Sequence, residues 1–456
     1  MEERIRKENE IIKGNQMILY RNLKYQKLFD DVCTLLASEK GDNSPDAYAC
    51  ANSLIELAVT CGFKGNLWHC FLAFCMANHE NAYSTSCEIK GPVGGTLNVL
   101  AAHDFRLMRK LFSSDIAVLD EESGGIWELM KNYESTSEES RVFNRRIRNR
   151  IVELAAALER TEDDTAFQDT VTEFYREFGV GKFGLNKAFH INMNENSGRA
   201  VIEPITRVEH IGLEDLVGYE MQKAKLIENT EAFIEGRAAN NVLLFGDSGT
   251  GKSSSIKAIL NKYYDRGLRM IEVYKHQFRS LSDVLEQIKD RNYKFIIYMD
   301  DLSFEEYEIE YKYLKAIIEG GLGIKPQNVL IYATSNRRHL IREKFSDKRE
   351  LDDELHVNDT VQEKLSLVAR FGVTIYYGSP DKKEFQKIVK VLADKYHVEK
   401  HDQITSWGNI GKYHVEIPEE ELYLEANKWE LSHGGLSGRT AAQFITHLLG
   451  KLKLEE

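Results

Sequence analysis

The sequence predicts an α/β protein: a parallel sheet with helices on both faces, preceded by a mostly α-helical N-terminal domain. Three observations predict it. Five apolar runs of strand length, starting with Asn241 to Phe245, alternate with helical segments, and such alternation buries a parallel sheet between helical layers. The first run leads into the glycine-rich stretch GDSGTGKS, Gly246 to Ser253, and then into a helical segment, Ser254 to Tyr264. Only six prolines interrupt 456 residues, and much of the first 160 repeats apolar side chains at helical spacing.

The N-terminal elements come first. Residues 1 to about 40 mix charge with Ile, Leu and Tyr, as an amphipathic helix or two would. Ser53 to Thr60 and Leu67 to Asn78 read as buried helices, and Thr96 to Phe112 follows the loop Gly91 to Gly95 as another. Arg141, Arg145, Arg146, Arg148 and Arg150 lie on one helix that continues through Leu158. A solvated face paired with nearby glutamates is the expected arrangement, and contact with nucleic acid is the alternative. Residues 1–173 form this helical domain. The stretch 174–200, rich in Gly and Asn, reads as a connection of loops with a hairpin.

Composition narrows the function classes. Apolar residues at 42% and charged residues at 29% describe a globular protein. A net charge of −12 argues against a surface that tracks nucleic acid throughout, leaving only a local basic patch. All six cysteines fall in the first ninety residues, and the start MEERIRKENE is charged rather than signal-like; a cytoplasmic protein with reduced thiols is expected. His69, Cys70, Cys75, His79 and Cys87 lack paired C-x₂-C spacing, so they read as core groups rather than a zinc site. The most apolar run, Leu67 to Ala77, is far short of the roughly 20 residues that span a bilayer.

The chemistry concentrates at the ends of the strands. GDSGTGKS fits G-x-x-x-x-G-K-[ST] between a strand and a helix, the context a phosphate-binding loop needs. Gly246, Gly249 and Gly251 let the backbone approach a polyphosphate, and Asp247, Ser248, Thr250 and Ser254 belong to the same wrapping loop and helix start. Lys252 is expected to reach the β and γ phosphates, and Ser253 to ligate Mg²⁺. The next strands are Arg269 to Lys275, Lys294 to Asp300, Val329 to Ser335 and Val373 to Tyr377. Asp300 and Asp301 end FIIYM, where an acid would hold Mg²⁺ beside Ser253 and a second would orient attacking water. Asn336 ends the following strand and could hold that water. Arg370, before the last strand, is placed to leave its own site for a neighbour's γ phosphate, and Arg439 begins a late helix that could reach bound nucleotide.

The set GDSGTGKS, FIIYMDD, ATSN, VARFG and SGR resembles the AAA+ ATPase superfamily. More closely, LEDLVGYEMQKAKLIENTEAFIEG, TSNRRHLI, EKLSLVARFG and WELSHGGLSGRTAAQF are similar to an uncharacterised bacterial ATP-binding family within it, one catalogued as a domain of unknown function. The resemblance covers about residues 201 to 450. It implies a nucleotide domain over 201–378 and a small helical lid over 379–456. It also implies Walker B at Asp300 and Asp301, sensor 1 at Asn336, an arginine finger at Arg370, sensor 2 at Arg439, and an adenine pocket lined by Leu216, Val217, Gly218 and Tyr219. Ala369 departs from the family pattern, which has Asp before the finger.

ATP is favoured over GTP, because Asn336 to His339 does not spell N-K-x-D. The expected function is Mg-ATP hydrolysis that drives or gates movement of the lid, with ATP/ADP and Mg²⁺ as cofactors. A homo-oligomer through Arg370 and a protein partner for the N-terminal domain are expected, with no membrane and nucleic acid disfavoured. Two alternatives stay open: a slowly hydrolysing nucleotide-gated switch, favoured by the short Asp301 and by Ala369, and a DNA-associated ATPase resembling helicase loaders, favoured by the arginine run. A small-molecule kinase would need an acceptor site, for which Glu272 and Arg279 are the candidates.

Overall fold

The computed structural model describes residues 16–37, 45–88, 91–121, 124–135, 145–194, 198–304, 308, 310–319, 326–336, 340, 367–398 and 418–451. Arg141 of the arginine run, and the stretch Arg342 to Glu354, whose charged sequence REKFSDKRELDDE carries no motif, lie outside them. The chain divides into two compact units. The first comprises Met1–Phe189, Glu203–Val208 and Arg291–Tyr293; the second comprises His190–Ile202, Glu209–Asp290 and Lys294–Glu456.

The first unit is built around the helix Leu67–Asn78, in which every residue from Leu67 to Ala77 is buried. A helix apolar on all sides has to be surrounded, and the helices Gln26–Ala37, Ala47–Cys61, Thr96–Ser113, Arg145–Glu159 and Asp164–Phe178 contribute to the same core. Asn66 starts the central helix by accepting from the N–H groups of Trp68 and His69 at 3.1 and 3.2 Å. Asp104, fully buried, accepts the N–H groups of Ile18, Leu19 and Tyr20 and so fastens the incoming chain. All six cysteines are buried and free. Burial raises the Cys50 thiol to about 11 and the Cys61 and Cys70 thiols to about 12.

The arginine run is not one solvated face. Arg145 and Arg146 are exposed, whereas Arg148 and Arg150 are buried. The guanidinium of Arg150 lies over the ring of Phe178 at 4.0 Å, and that of Arg148 donates to Asn149 Oδ1. Planar, weakly hydrated guanidinium groups tolerate such burial where lysine would not.

Among the described residues the sheet has seven strands: β1 (Ala188–Met193), β2 (Ala200–Pro204), β3 (Val242–Gly246), β4 (Leu268–Glu272), β5 (Lys294–Met299), β6 (Val329–Ser335) and β7 (Val373–Tyr377), in the order β2-β1-β4-β5-β6-β3-β7. The pairs β4·β5, β5·β6, β6·β3 and β3·β7 are parallel. β6 is buried at all seven positions, as befits an interior strand of a parallel sheet. The stretch expected as a connection carries the end of one helix, the short helix Gly181–Leu185 and β1.

Among the described residues, three helices follow β7: Lys382–Val398, Glu419–Ser432 and Gly438–Lys451. Phe385, Val389, Ala426, Ala441, Phe444 and Ile445 are the centre of their small core. Among the described residues, no helix is long and apolar enough to cross a membrane.

Candidate functional site

Strand order decides what meets at the site. Because β6 lies between β3 and β5, the residues that follow the three strands converge at their C-terminal ends, where parallel sheets bind ligands. Phe245 pairs with Ser335, and Met299 with Ala333. The glycine-rich loop, Asn336 and the two acids are therefore neighbours.

The loop has the backbone its glycines imply. Gly246, Gly249 and Gly251 have φ of 136°, 75° and 90°, values that side chains with a Cβ seldom adopt. A Cβ on Gly246 would lie 2.0 Å from the carbonyl oxygen of Tyr377. Gly251 caps the helix Lys252–Tyr263 at its N-terminus, so that helix presents its first N–H groups to the loop.

Lys252, 6% exposed, donates to the carbonyl oxygens of Gly246 (3.0 Å) and Asp247 (2.5 Å) and to Asn336 Oδ1 (3.0 Å). Burial lowers its pKa, opposed by the charges of Asp247, Asp301 and Asp300. Asn336 turns its amide nitrogen to Asp301 Oδ1 at 2.8 Å, so one side chain bridges the lysine and the second acid. Ser253 donates to Asp300 Oδ1 at 2.7 Å. Burial pushes the Asp300 carboxyl up, but hydrogen bonds from Thr334 and Ser253 and the charge of Lys257 help to outweigh it and hold the group below the usual carboxylate range.

These groups open onto a cavity of about 550 Å³. Ser248, Gly249, Thr250, Gly251, Lys252, Ser253, Ser254, Asp300, Asp301, Thr334 and Asn336 line its polar side, and Leu216, Val217, Tyr219, Ile388, Leu392 and Ala442 are among the residues opposite. Arg439 also lines it, donating from Nη1 to Ser248 Oγ at 3.3 Å and from its backbone N–H to the carbonyl oxygen of Gly249. Gly246, Asp247, Gly218 and Arg370 are not among the lining residues. Asp247 instead turns its carboxylate to Ser379, accepting from its N–H at 2.8 Å and its Oγ at 2.9 Å. Arg370 stands just before β7, at the strand end opposite the loop, and five residues at about 3.3 Å each separate it from that end by roughly 17 Å.

Several participants carry no motif of their own. Lys223 holds the carbonyl oxygen of Leu216 at 2.8 Å, and Lys395 pairs with Asp215 at 2.9 Å, tying the segment before the first central strand to the C-terminal helices. Ile388, Leu392 and Ala442 join the cavity only through packing. Thr334 was discoverable: it sits two residues before Asn336, hence on the same side of β6.

A G-x-x-x-x-G-K-S loop, two acids after the next strand but one and an amide after the strand between them, on this parallel sheet, define a P-loop fold. The chain belongs to the family described as "Protein of unknown function (DUF815)", whose model matches residues 186–452. It is similar to the solved structure of PCH-2 from C. elegans, at 19% identity and a TM-score of 0.35, over 53% of this chain and 65% of that one. It is also similar to a mutant of RuvB from Thermotoga maritima, at 15% identity and a TM-score of 0.30, over 52% of this chain and 72% of that one. The matched region thus spans less than two thirds of PCH-2. No curated protein matches.

Proposed function

We propose that the protein binds ATP with Mg²⁺ and hydrolyses it, and that the cycle drives or gates a conformational change acting on a protein partner. The observation that carries this reading is the convergence of Lys252, Ser253, Asp300, Asp301 and Asn336 at the ends of three adjacent strands. The donor set fits the ligands. A loop whose φ values and tight contacts favour glycine suits close backbone approach by phosphates, and a hydroxyl and an ionised carboxylate 2.7 Å apart are hard oxygen donors suited to Mg²⁺.

When bound, Mg²⁺ would supply charge neutralisation at the phosphates. The chain's own residues do the rest. Lys252 would bind the terminal phosphates, Ser253 and Asp300 would hold the cation, and Asp301 with Asn336 would orient water for attack. Arg439 would contact the phosphates from the C-terminal helices, and Leu216, Val217 and Tyr219 with Ile388 and Leu392 would receive the base. Residues 201–378 form the nucleotide domain in this reading, 379–456 the lid, and 1–173 the partner-binding domain, joined by 174–200. Arg370, remote from its own cavity, would serve a neighbouring copy in a homo-oligomer. Six free buried thiols suit a reducing compartment such as the cytoplasm.

The test is ATP hydrolysis by wild type, Lys252→Ala and Asp300→Ala. Each variant is expected to lose about 10²-fold or more in turnover; unchanged rates in both would end the reading. A second reading, a nucleotide-gated switch that turns over slowly, has support from one contact. The short Asp301 carboxylate is already engaged by Asn336 at 2.8 Å. Tight ADP binding with a turnover per chain that does not rise with protein concentration would favour it.

A further inference from the structure

The residue that joins the two acids is Thr334. Register sets its place: Met299 pairs with Ala333 across β5 and β6, so Asp300 and Thr334, one step further on each strand, come level. Thr334 is 2% exposed. Its Oγ1 donates to Asp300 Oδ1 at 2.5 Å and accepts the N–H of Asp301 at 2.9 Å. These directions are fixed, because a carboxylate only accepts and a hydroxyl has one proton to give. Its carbonyl oxygen accepts the N–H of Leu302 at 2.7 Å. Three consecutive residues after β5 are thus held by one residue of β6.

The middle bond matters most. Asp301 has φ +50°, in the left-handed region that residues other than glycine enter rarely and that surrounding structure has to impose. The Thr334 hydroxyl grips the amide at that turn, and Asn336 grips the carboxylate beyond it.

We propose that Thr334 is the positioning residue of both acids: its hydroxyl aims Asp300 at a cation beside Ser253 and fixes the left-handed turn that presents Asp301 to Asn336. This role rests on the Mg-ATP reading. It makes one hydroxyl, rather than either carboxylate alone, responsible for keeping cation and water in register.

The experiment compares wild type with Thr334→Val, which keeps the shape and removes the hydroxyl, and Thr334→Ser, which keeps the hydroxyl. Turnover and KM are measured with ATP, ADP affinity is measured with and without Mg²⁺ by calorimetry, and the melting temperature is measured for each protein. Thr334→Val is expected to lower kcat about 10- to 100-fold with KM changed less than about 3-fold, as misplaced reacting groups do. The increase in ADP affinity that Mg²⁺ brings should shrink in Thr334→Val, and Thr334→Ser should restore both readouts to near wild type. Should Thr334→Val fail to fold, Thr334→Cys, whose thiol donates weakly, is expected to show the same losses in part. Wild-type kcat and wild-type Mg²⁺ dependence in the Val or Cys variant would overturn the role while leaving the reading intact, and so would a Ser variant as impaired as Val. A wild-type protein that binds no nucleotide in the presence of Mg²⁺ would overturn the reading and this role with it.

Discussion

Glu88, 1% exposed in the first unit, accepts from Arg291 at 2.7 Å, from the Tyr293 hydroxyl at 3.0 Å and from the N–H of Val180 at 3.2 Å. Burial nonetheless dominates and raises its carboxyl to about 7. As pH rises from the ordinary carboxylate range through 7, the unfolded chain loses this proton before the native one does, so stability falls across that window. Glu88→Gln cannot ionise. Its denaturant midpoint is expected to depend less on pH between 5 and 7.5, with wild type losing at most about 3 kcal/mol more over the same range; parallel pH profiles would refute the assignment. Single residues also show where sequence reading stops. Lys252, Asp300 and Asn336 announce themselves by following apolar runs. Asp247 belongs to the same motif, yet its carboxylate faces Ser379, because letters fix the loop's path and not the direction of each side chain. The burial of Arg148 and Arg150 depends on Phe178 and the packed helices around them, which no local pattern encodes.

At the scale of elements, β3 and β7 meet closely at the start of the loop. Gly246 pairs with Tyr377, and its φ of 136° leaves no room for a Cβ beside that residue's carbonyl oxygen. Gly246→Ala is expected to destabilise the second unit by about 2–4 kcal/mol in urea unfolding and to weaken ATP binding in parallel. Wild-type stability would show that the strands can part at no cost. The five strands β3 to β7 were legible because apolar runs bounded by Gly, Asp and Asn leave little choice of period. Their order was not. Placing β6 between β3 and β5 depends on non-local pairing, and that order is what brings Thr334 against Asp300. The walls formed by Ile388, Leu392 and Ala442 were hidden for the same reason: they face the cavity only once three C-terminal helices have packed.

For the whole molecule, the decisive residue is one that its own cavity does not use. Arg370 lies at the far end of β7 from the loop. If it completes a neighbour's site, turnover per chain should climb with protein concentration in wild type. Arg370→Ala should keep its ATP affinity within about 2-fold while losing that climb, by about 10²-fold or more at saturation. A variant that climbs like wild type would remove Arg370 from catalysis.

The two hydrogen bonds between Asp247 and Ser379 have a mechanical meaning. Ser379 stands two residues after β7 and leads within three residues into the helix Lys382–Val398, while Asp247 is the second residue of the glycine-rich loop. Turning that helix about its root must either tug the loop or snap both bonds. Grip and pivot are therefore a single joint, and a torque applied at one is felt at the other through the Asp247 carboxylate alone.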